Sequence, residues 1–450
     1  MKFDPTIFKS YDIRGVYPET INEEFISNFG QAFVQKFNAK SVAVGRDGRV
    51  SSPALSRALI QGITEAGANA VDLGISSTDM TYVASAYYED LDAAIMITAS
   101  HNPKDYNGMK AVSKGAVALS GQDGLYEVRD MLLSGNFAAS SGQSKGTTST
   151  REMYEDYRTR LLQLIDMTAL KPLKIVVDAG NGVAGYVVEK VFRGLPLEII
   201  PLYFEIDGNF PNHQPSPIEV KNLIDLKAKV IESHADLGLA FDGDGDRVYL
   251  VDEKGRGVSA SVMTAMIAKS LLEKNPGARI LYNAVCSWIV RETIEKYGGV
   301  PSITPVGHSL IKAQMRKEDG FFAGEHSGHY FFKELYYADS GILASLYVLE
   351  MISKSGQSLS ELIREFDTYF ESGEINSTVV DQDAKIEQIK RIHAGARQST
   401  LDGLNAEYDD WWFSLRPSNT EPLLRLNVEA KTRELMEAKK DELLKIIREK

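Results

Sequence analysis

The sequence has little of what a disulfide-stabilised or membrane-spanning protein needs. It contains one cysteine, Cys286, so no disulfide can form within the chain, and this is typical of proteins in a reducing compartment. No apolar run approaches the roughly 18 residues that a bilayer-spanning helix requires. The N-terminal residues also lack the apolar core of a secretory signal. We therefore expect a cytoplasmic protein that acts away from membranes.

Basic residues are outnumbered by acidic ones. The chain of 450 residues carries 50 Lys and Arg against 62 Asp and Glu, which gives a formal net charge of -12 at pH 7. A nucleic-acid partner would favour a basic surface, so the composition argues against such a partner. A small phosphorylated ligand remains compatible with this charge if Lys and Arg are concentrated at its binding site.

The order of apolar and amphipathic segments predicts an α/β protein. Strands alternate with helices as far as residue 368, which favours mixed, mostly parallel sheets covered on both faces. Strand–loop–helix joints at 45–49, 178–182 and 283–287 suggest three related α/β units. The remaining residues predict a small C-terminal α+β unit. The domain ranges that follow from these patterns are 1–150, 151–252, 253–368 and 369–450.

Two local patterns in the first unit predict irregular structure. Arg14 precedes a glycine in the stretch 11–15, which we interpret as a loop. The pair Asn107-Gly108 is typical of a tight turn.

The most informative stretch is an apolar segment that ends at a serine. Residues 93–98 predict a buried strand, and the following Ser100-His101-Asn102-Pro103 ends it. Ligands of open α/β sheets bind at the C-terminal edge of the strands, so Ser100 is a candidate nucleophile. The alternative is that Ser100 only stabilises a turn, and this segment alone favours neither. We call residues 98–103 the serine loop.

A second loop concentrates negative charge. The stretch Asp242-Gly243-Asp244-Gly245-Asp246-Arg247, here the acidic loop, follows a predicted strand. Its alternating carboxylates can converge on one hard cation because the glycines permit tight turning. An EF-hand is excluded since its sixth position, where that motif needs glycine, is Arg247. A solvated acidic turn is the alternative, but like charges repel unless a cation offsets them. Arg247 is suited to a phosphoryl oxygen.

A third loop carries a carboxylate, a hydroxyl and an imidazole. It is Gly324-Glu325-His326-Ser327-Gly328-His329, where Glu325 and Ser327 could bind adjacent sugar hydroxyls. His329 is a candidate acid or base because its ordinary pKa lies near neutrality. His308, at a predicted helix start, is a second candidate. Satisfied polar turns and a helix cap are the alternatives for these residues.

The fourth loop is Arg416-Pro417-Ser418-Asn419-Thr420-Glu421-Pro422. A guanidinium, hydroxyls, an amide and successive backbone N–H groups make an anion nest suited to a phosphate. A plain hairpin turn is the alternative. Together the four loops indicate phosphoryl transfer on a sugar that keeps one phosphate while it reacts elsewhere, since such catalysis is mainly positioning and charge stabilisation.

The four loops, in this order along the chain, resemble those of the α-D-phosphohexomutase family. The resemblance implies three related α/β domains and a small C-terminal domain around a central cleft. It implies a phosphorylated Ser100 that exchanges its phosphoryl group with a hexose monophosphate through a hexose 1,6-bisphosphate, which also acts as activator. The roles it implies are Mg²⁺ ligation by Ser100, Asp242, Asp244 and Asp246; catalysis by His101, Lys110, Arg247, His308 and His329; and substrate binding by Arg14, Glu325, Ser327, Arg416, Ser418, Asn419 and Thr420.

Details within the motifs favour one branch of the family. Asn419 and the stretch 207–213 resemble the bacterial mannose and glucose group, which implies mannose phosphates, with glucose phosphates as further substrates. His326 departs from the methionine often found there, and leaves the preference at sugar C2 open. A glucosamine-phosphate mutase is the alternative within the family. A sugar-phosphate phosphatase or binding protein is the alternative outside it.

Overall fold

The chain folds around four sheets that it forms one after another. The computed structural model describes residues 3–137, 144–417 and 423–449, and everything below refers to these. None of the described helices combines the length and the apolar character that crossing a membrane would require. Short 3-10 or π-helical turns lie at Pro5–Ile7, Gly121–Leu125, Met167–Ala169, Val220–Leu223, Lys333–Leu335 and Ile363–Glu365.

The first sheet has the order β1-β5-β4-β2-β3-β7, with β6 beside β5. Strands β4, β2, β3 and β7 are mutually parallel, whereas β5 pairs antiparallel with β4 and β1. The elements are β1 Ile13–Val16, α1 Glu23–Phe37, β2 Ser41–Arg46, α2 Ser52–Glu65, β3 Asn69–Ile75, α3 Thr78–Tyr87, β4 Ala93–Ile97, β5 Tyr106–Ser113, β6 Val117–Ala118, α4 Tyr126–Ser134 and β7 Thr148–Thr150.

The second sheet has the order β12-β11-β10-β8-β9, in which β10, β8 and β9 are parallel and β11 and β12 are antiparallel additions. Its parallel half places the C-terminal end of β10 next to that of β8. The elements are α5 Tyr154–Leu162, β8 Leu173–Asp178, α6 Ala184–Val191, β9 Leu197–Leu202, α7 Ile224–Ser233, β10 Leu237–Phe241, β11 Val248–Asp252 and β12 Gly257–Val258.

The third sheet repeats this mixed pattern in the order β14-β13-β15-β16-β17. Strands β14, β13 and β15 are parallel, and β16 and β17 are antiparallel. The elements are α8 Ala260–Lys274, β13 Arg279–Asn283, α9 Trp288–Lys296, β14 Val300–Thr304, α10 His308–Glu318, β15 Phe322–Gly324, β16 Tyr330–Phe332, β17 Ala338–Asp339, α11 Gly341–Ser355 and α12 Leu359–Leu362.

The fourth sheet is antiparallel, with the order β18-β23-β22-β21-β20 and β19 beside β23. It has a hydrophobic core of its own, whereas one continuous core joins the first three units. Three mixed α/β sheets and a small α+β unit confirm the predicted fold class. The elements are β18 Phe370–Glu371, β19 Ile375–Thr378, α13 Gln382–Ile392, β20 Arg397–Ser399, β21 Leu404–Glu407, β22 Trp411–Pro417, β23 Leu423–Ala430 and α14 Arg433–Arg448.

Both local predictions in the first unit were wrong. Arg14 lies in strand β1, and Asn107 and Gly108 lie in β5, paired with Gly15 and Arg14. The backbone of Gly108 passes so close to β1 that a Cβ there would lie 1.9 Å from Ile13 O. The glycine therefore serves a close approach of two strands instead of a turn, a role that glycine in strands often has.

Helices α1 and α2 pack closely through a glycine, which yields a stability prediction. A Cβ on Gly62 would lie 1.9 Å from the carbonyl oxygen of Ser27, which belongs to the backbone of α1. Although alanine favours helix by up to about 1 kcal/mol, overpacking typically costs ~1–3 kcal/mol. We expect Gly62→Ala to lower the melting temperature measured by circular dichroism. Gly395→Ala, where a Cβ meets nothing within 4 Å, is the control and should leave it unchanged; equal melting temperatures would contradict the packing argument.

Candidate active site

Ser100 lies just beyond the C-terminal end of β4, where the sequence placed it. Its side chain is buried, and its φ of 50° is in the left-handed region, which is uncommon for residues other than glycine. The backbone N–H is held by Thr98 Oγ1 at 2.8 Å, and the hydroxyl donates to Asp242 Oδ2 at 2.8 Å. The serine loop and the acidic loop are therefore in direct contact.

The acidic loop connects β10 to β11 and turns at Gly245, whose φ is 74°. Gly243 lies against the serine loop: a Cβ there would be 2.5 Å from Ser100 O. A residue with a side chain at this position would push the two loops apart. The glycines thus permit both the turn and the approach of the carboxylates to Ser100.

Lys110, on strand β5, supplies a cation to the acidic loop. Its Nζ lies 2.8 Å from Asp244 Oδ2 and 2.6 Å from Asp246 Oδ2, and all three side chains are buried. Burial lowers the pKa of Lys110, but the charges of Asp244 and Asp246 outweigh it and raise the pKa above its ordinary value. Lys110 is therefore a fixed positive charge against the acidic loop.

The three carboxylates fit a divalent cation. Oxygens of Asp242, Asp244 and Asp246 lie within 4.8 Å of one another. Oδ1 of Asp244 and of Asp246 are buried and form no hydrogen bond to any described residue. Burial, together with the charges of the other two, raises the pKa of Asp242 well above its usual range. Carboxylate oxygens are the ligands that hard divalent cations prefer, and such an ion would offset this charge.

Arg247 and His329 form the next layer around the acidic loop. Arg247 Nε lies 3.4 Å from Asp242 Oδ2 and donates to His329 Nε2 at 3.1 Å. His329 Nδ1 lies 2.9 Å from Glu325 Oε2 and 3.0 Å from Ser327 Oγ. Burial and Arg247 lower the pKa of His329, but nearby carboxylates, chiefly those of Asp246 and Glu325, outweigh them and raise it to about 9. The carboxylates favour the protonated imidazole, whereas the charge of Arg247 and its hydrogen bond to Nε2 favour the neutral form.

His308 begins helix α10, close to His329. Their ring centres are 6.4 Å apart. Burial, with help from Lys312 and Lys110, lowers the pKa of His308 well below its ordinary value. Its Nε2 is buried and has no hydrogen-bond partner within the described part of the chain. The unused nitrogen is free to accept a hydrogen bond, but the lowered pKa makes His308 a weaker base than His329.

Arg14 and His101 adjoin the serine loop. Arg14 donates to Ala99 O at 3.1 Å and to the side chain of Asn102. His101 Nδ1 lies 3.3 Å from Ser216 Oγ, and burial, followed by the charge of Arg247, lowers its pKa well below the ordinary value. Both residues are thus near Ser100, as the sequence predicts.

Arg416 is the penultimate residue of strand β22 and is buried on the fourth sheet. Its terminal nitrogens lie 3.1 Å from Glu374 Oε2 and 3.5 Å from Asp402 Oδ2. Ser418, Asn419 and Thr420, the other predicted phosphate-binding residues, lie outside the described residues. Their role stays a prediction.

Several residues that support the site escaped the sequence analysis. Thr78, at the start of α3, donates to Asp244 Oδ2 at 2.6 Å. Lys312 of α10 is buried 2.6 Å from Asp339 Oδ1, and Asp339 Oδ2 lies 3.9 Å from His329 Nε2. Arg49 contacts the serine loop. Of these residues, only Arg49 lies in a pattern that the sequence shows, the strand–loop–helix joint at 45–49. Thr78, Lys312 and Asp339 meet their partners only when the chain is folded.

Comparison with known proteins matches family models to four consecutive parts of the chain. The models describe phosphoglucomutase/phosphomannomutase: alpha/beta/alpha domain I matches residues 5–130, domain II 154–255, domain III 260–369 and the C-terminal domain 374–446. The matches follow the order of the four sheets.

Individual relatives extend over nearly the whole chain. A phosphomannomutase of Salmonella montevideo is 39% identical over 98% of this chain and 99% of its own length. A phosphomannomutase/phosphoglucomutase of Pseudomonas aeruginosa is 38% identical, over 96% and 93%. The crystal structure of a phosphoglucomutase/phosphomannomutase family protein from Burkholderia thailandensis superimposes with a TM-score of 0.90 at 34% identity, covering 99% of this chain and 97% of its own.

The contact of Thr78 with Asp244 yields a prediction about cation binding. Thr78→Val removes the hydroxyl that orients this carboxylate, and loss of such a supporting bond typically weakens metal affinity ~10–100-fold. We expect a loss of this size in a Mn²⁺ titration followed by electron paramagnetic resonance. Thr81→Val, one turn further along α3, is the control because its hydroxyl contacts Ser76. Equal affinities of the wild type and Thr78→Val would contradict the role of Thr78.

Proposed function

The chain belongs to the phosphoglucomutase/phosphomannomutase family, and from this premise we propose that it is a phosphomannomutase that interconverts mannose 1-phosphate and mannose 6-phosphate. The glucose phosphates are proposed as further substrates, since one of the relatives is named for both activities. The observation that carries the proposal is the hydrogen bond of Ser100 to Asp242 at 2.8 Å, with Lys110 and Arg247 beside the same carboxylates. The domains 1–150, 151–252, 253–368 and 369–450 would enclose this centre.

The reaction we propose passes a phosphoryl group through Ser100. The 6-hydroxyl of mannose 1-phosphate attacks the phosphorus of phosphorylated Ser100; a P–O bond to the sugar forms as the bond to Ser100 Oγ breaks. The resulting hexose 1,6-bisphosphate turns round, and Ser100 takes its 1-phosphoryl group, which releases mannose 6-phosphate. Free hexose 1,6-bisphosphate would serve as activator because it can phosphorylate an empty Ser100.

Charge in this reaction is offset by groups already buried at the site. Asp242, Asp244, Asp246 and Ser100 are proposed to hold Mg²⁺, which when bound supplies positive charge to the phosphoryl oxygens. Lys110 and Arg247 would contribute fixed positive charge to the same oxygens. His101 and Arg14, at the serine loop, complete the proposed contacts to the phosphoryl group.

Proton transfer is assigned to the two histidines. The attacking hydroxyl must lose a proton, and His329 and His308 are the candidates to accept it. When Arg247 turns to the phosphoryl group, its hydrogen bond to His329 Nε2 is released. The carboxylates of Asp246 and Glu325 then favour protonation of the ring, so His329 would gain the proton and return it to the leaving oxygen in the second transfer.

Substrate recognition is divided between two other loops. Glu325 and Ser327 are proposed to bind sugar hydroxyls. Arg416, with Ser418, Asn419 and Thr420 of the same loop, is proposed to bind the phosphate that does not react. A substrate held at both ends would keep its reacting oxygen near Ser100 in either orientation, which is the proximity effect that such binding provides.

A coupled assay tests this proposal. With Mg²⁺ and catalytic glucose 1,6-bisphosphate, the wild type should convert mannose 1-phosphate, and chelation by EDTA should abolish turnover. Ser100→Ala should lose at least about 1,000-fold in kcat because it removes the phosphoryl carrier. Ser345→Ala, a buried serine of α11 that donates to a backbone carbonyl, is the control and should remain active.

Substrate and activator dependence separate the alternatives. Turnover of glucosamine 1-phosphate alone would keep the mechanism and overturn the mannose assignment. Release of inorganic phosphate without need of the bisphosphate would indicate a phosphatase, and binding without turnover a binding protein. Full activity of Ser100→Ala would contradict the proposed carrier.

A further inference from the structure

Arg49 occupies an unusual place below the serine loop. It lies between β2 and α2, and its side chain is 0% exposed. Each of its two terminal nitrogens donates to two backbone carbonyls, and all four carbonyls lie within residues 100–106. The acceptors are Ser100 O at 2.8 Å, Asn102 O at 2.7 Å, Pro103 O at 2.7 Å and Tyr106 O at 2.9 Å.

The remaining edge of the guanidinium faces a carboxylate. Arg49 Nε lies 3.2 Å from Asp47 Oδ2, and Asp47 Oδ1 also accepts from the backbone N–H of Arg49 at 3.0 Å. One side of the planar group is thus fixed by its own loop. The opposite side is satisfied by three carbonyls of the serine loop and by that of Tyr106 at the start of β5.

Burial makes this arrangement selective for one conformation of the serine loop. Removal of the partners of a buried charge is strongly destabilising, because the charge is left uncompensated. If the loop moved, the carbonyls of Ser100, Asn102 and Pro103 would leave Arg49 together, and its charge would lose those partners without gaining water. The buried charge of Arg49 therefore favours the one conformation of the serine loop that supplies its hydrogen-bond partners.

The conformation held in this way is a strained one. Ser100 has a φ of 50°, and such backbone geometry persists only when its surroundings over-determine it. Arg49 binds the carbonyl of Ser100 itself, so it fixes the peptide plane from which the hydroxyl projects toward Asp242. The direction of the nucleophile thus depends on a residue that does not contact its side chain.

The second unit covers Arg49 from the other side. The ring of Phe210 lies over the guanidinium at 5.1 Å. Gly208 packs so closely that a Cβ there would lie 2.7 Å from Arg49 Cα. Arg49 is therefore clamped between the serine loop and the loop at 207–213, whose unit also carries the acidic loop.

We propose that Arg49 is a positioning residue for phosphoryl transfer, which fixes Ser100 in line with the acidic loop. The proposal rests on the proposed function of Ser100 as phosphoryl carrier. Lysine cannot replace arginine in this role, because an ammonium lacks the planar fork that serves four acceptors. Arg49 makes no contact with the sugar-binding residues Glu325 and Ser327 among its described interactions, so its loss should act on the chemical step.

The test compares Arg49→Lys and Arg49→Gln with the wild type. We expect kcat for mannose 1-phosphate to fall about 100-fold, as misplacement by roughly 1 Å does, with KM changed less than about threefold. The fraction of Ser100 phosphorylated after brief incubation with glucose 1,6-bisphosphate, measured by intact mass, should fall in parallel. Mn²⁺ affinity should fall much less than kcat, because the three carboxylates are intact and Ser100 is the one proposed ligand that Arg49 positions.

Arg316→Lys is the matched control. Arg316 Nη2 also donates to two backbone carbonyls, of Gly115 and Tyr336, at 2.7 Å each, and neither belongs to the serine loop. We expect its kcat to stay within about twofold of the wild type, since the fork it loses does not hold Ser100.

Three outcomes would overturn the proposal. They are a folded Arg49→Lys with wild-type kcat, a loss confined to KM, and failure of both Arg49 variants to fold while Arg316→Lys folds, which would assign Arg49 a purely structural role. A wild type that converts no hexose phosphate would instead contradict the proposed function, so the two failures are distinguishable.

Discussion

The burial of three carboxylates beside one serine is the constraint on which the rest of the structure depends. Two helix N-termini donate to carbonyls of the acidic loop, from Thr78 N to Asp244 O at 3.0 Å and from Val183 N to Gly243 O at 3.2 Å. A third helix, α11, begins at Gly341 against the same loop, where a side chain would not fit. The positive ends of these helices stabilise negative charge, and they come from three different units.

This constraint explains why the site needs several domains. Ser100 and Asp242, which share a hydrogen bond, are 142 residues apart, and Lys110 lies 134 residues from Asp244. No single sheet could place a nucleophile, an anionic loop and an imidazole pair at one point, because each comes from the C-terminal edge of a different sheet. The continuous core that joins the first three units therefore positions the proposed catalytic groups as well as stabilising the fold.

How far the sequence predicts this site depends on the range of the interactions. The acidic loop and the strands beside it were recognisable because glycine spacing and apolar runs act within a few residues. Asn107-Gly108 was misread because a local turn signal was overridden by pairing with β1, and tertiary context commonly prevails over local propensity. Thr78 was not foreseen, since its partner Asp244 lies 166 residues away. Side chains that orient other side chains leave no mark in the local pattern.

Arg416 is another buried cation whose charge is offset by carboxylates. Its guanidinium faces Glu374 and Asp402, so a phosphate that binds it must compete with two carboxylates. These carboxylates also reach the third unit: Glu374 lies 3.7 Å from His326 Nε2, and Asp402 accepts from Val306 N at 3.0 Å. Under the proposed role of Arg416, exchange of a carboxylate for a phosphate would alter contacts that join the fourth unit to the third. Arg416 is thus the point at which the proposed phosphate would meet the contacts between these two units.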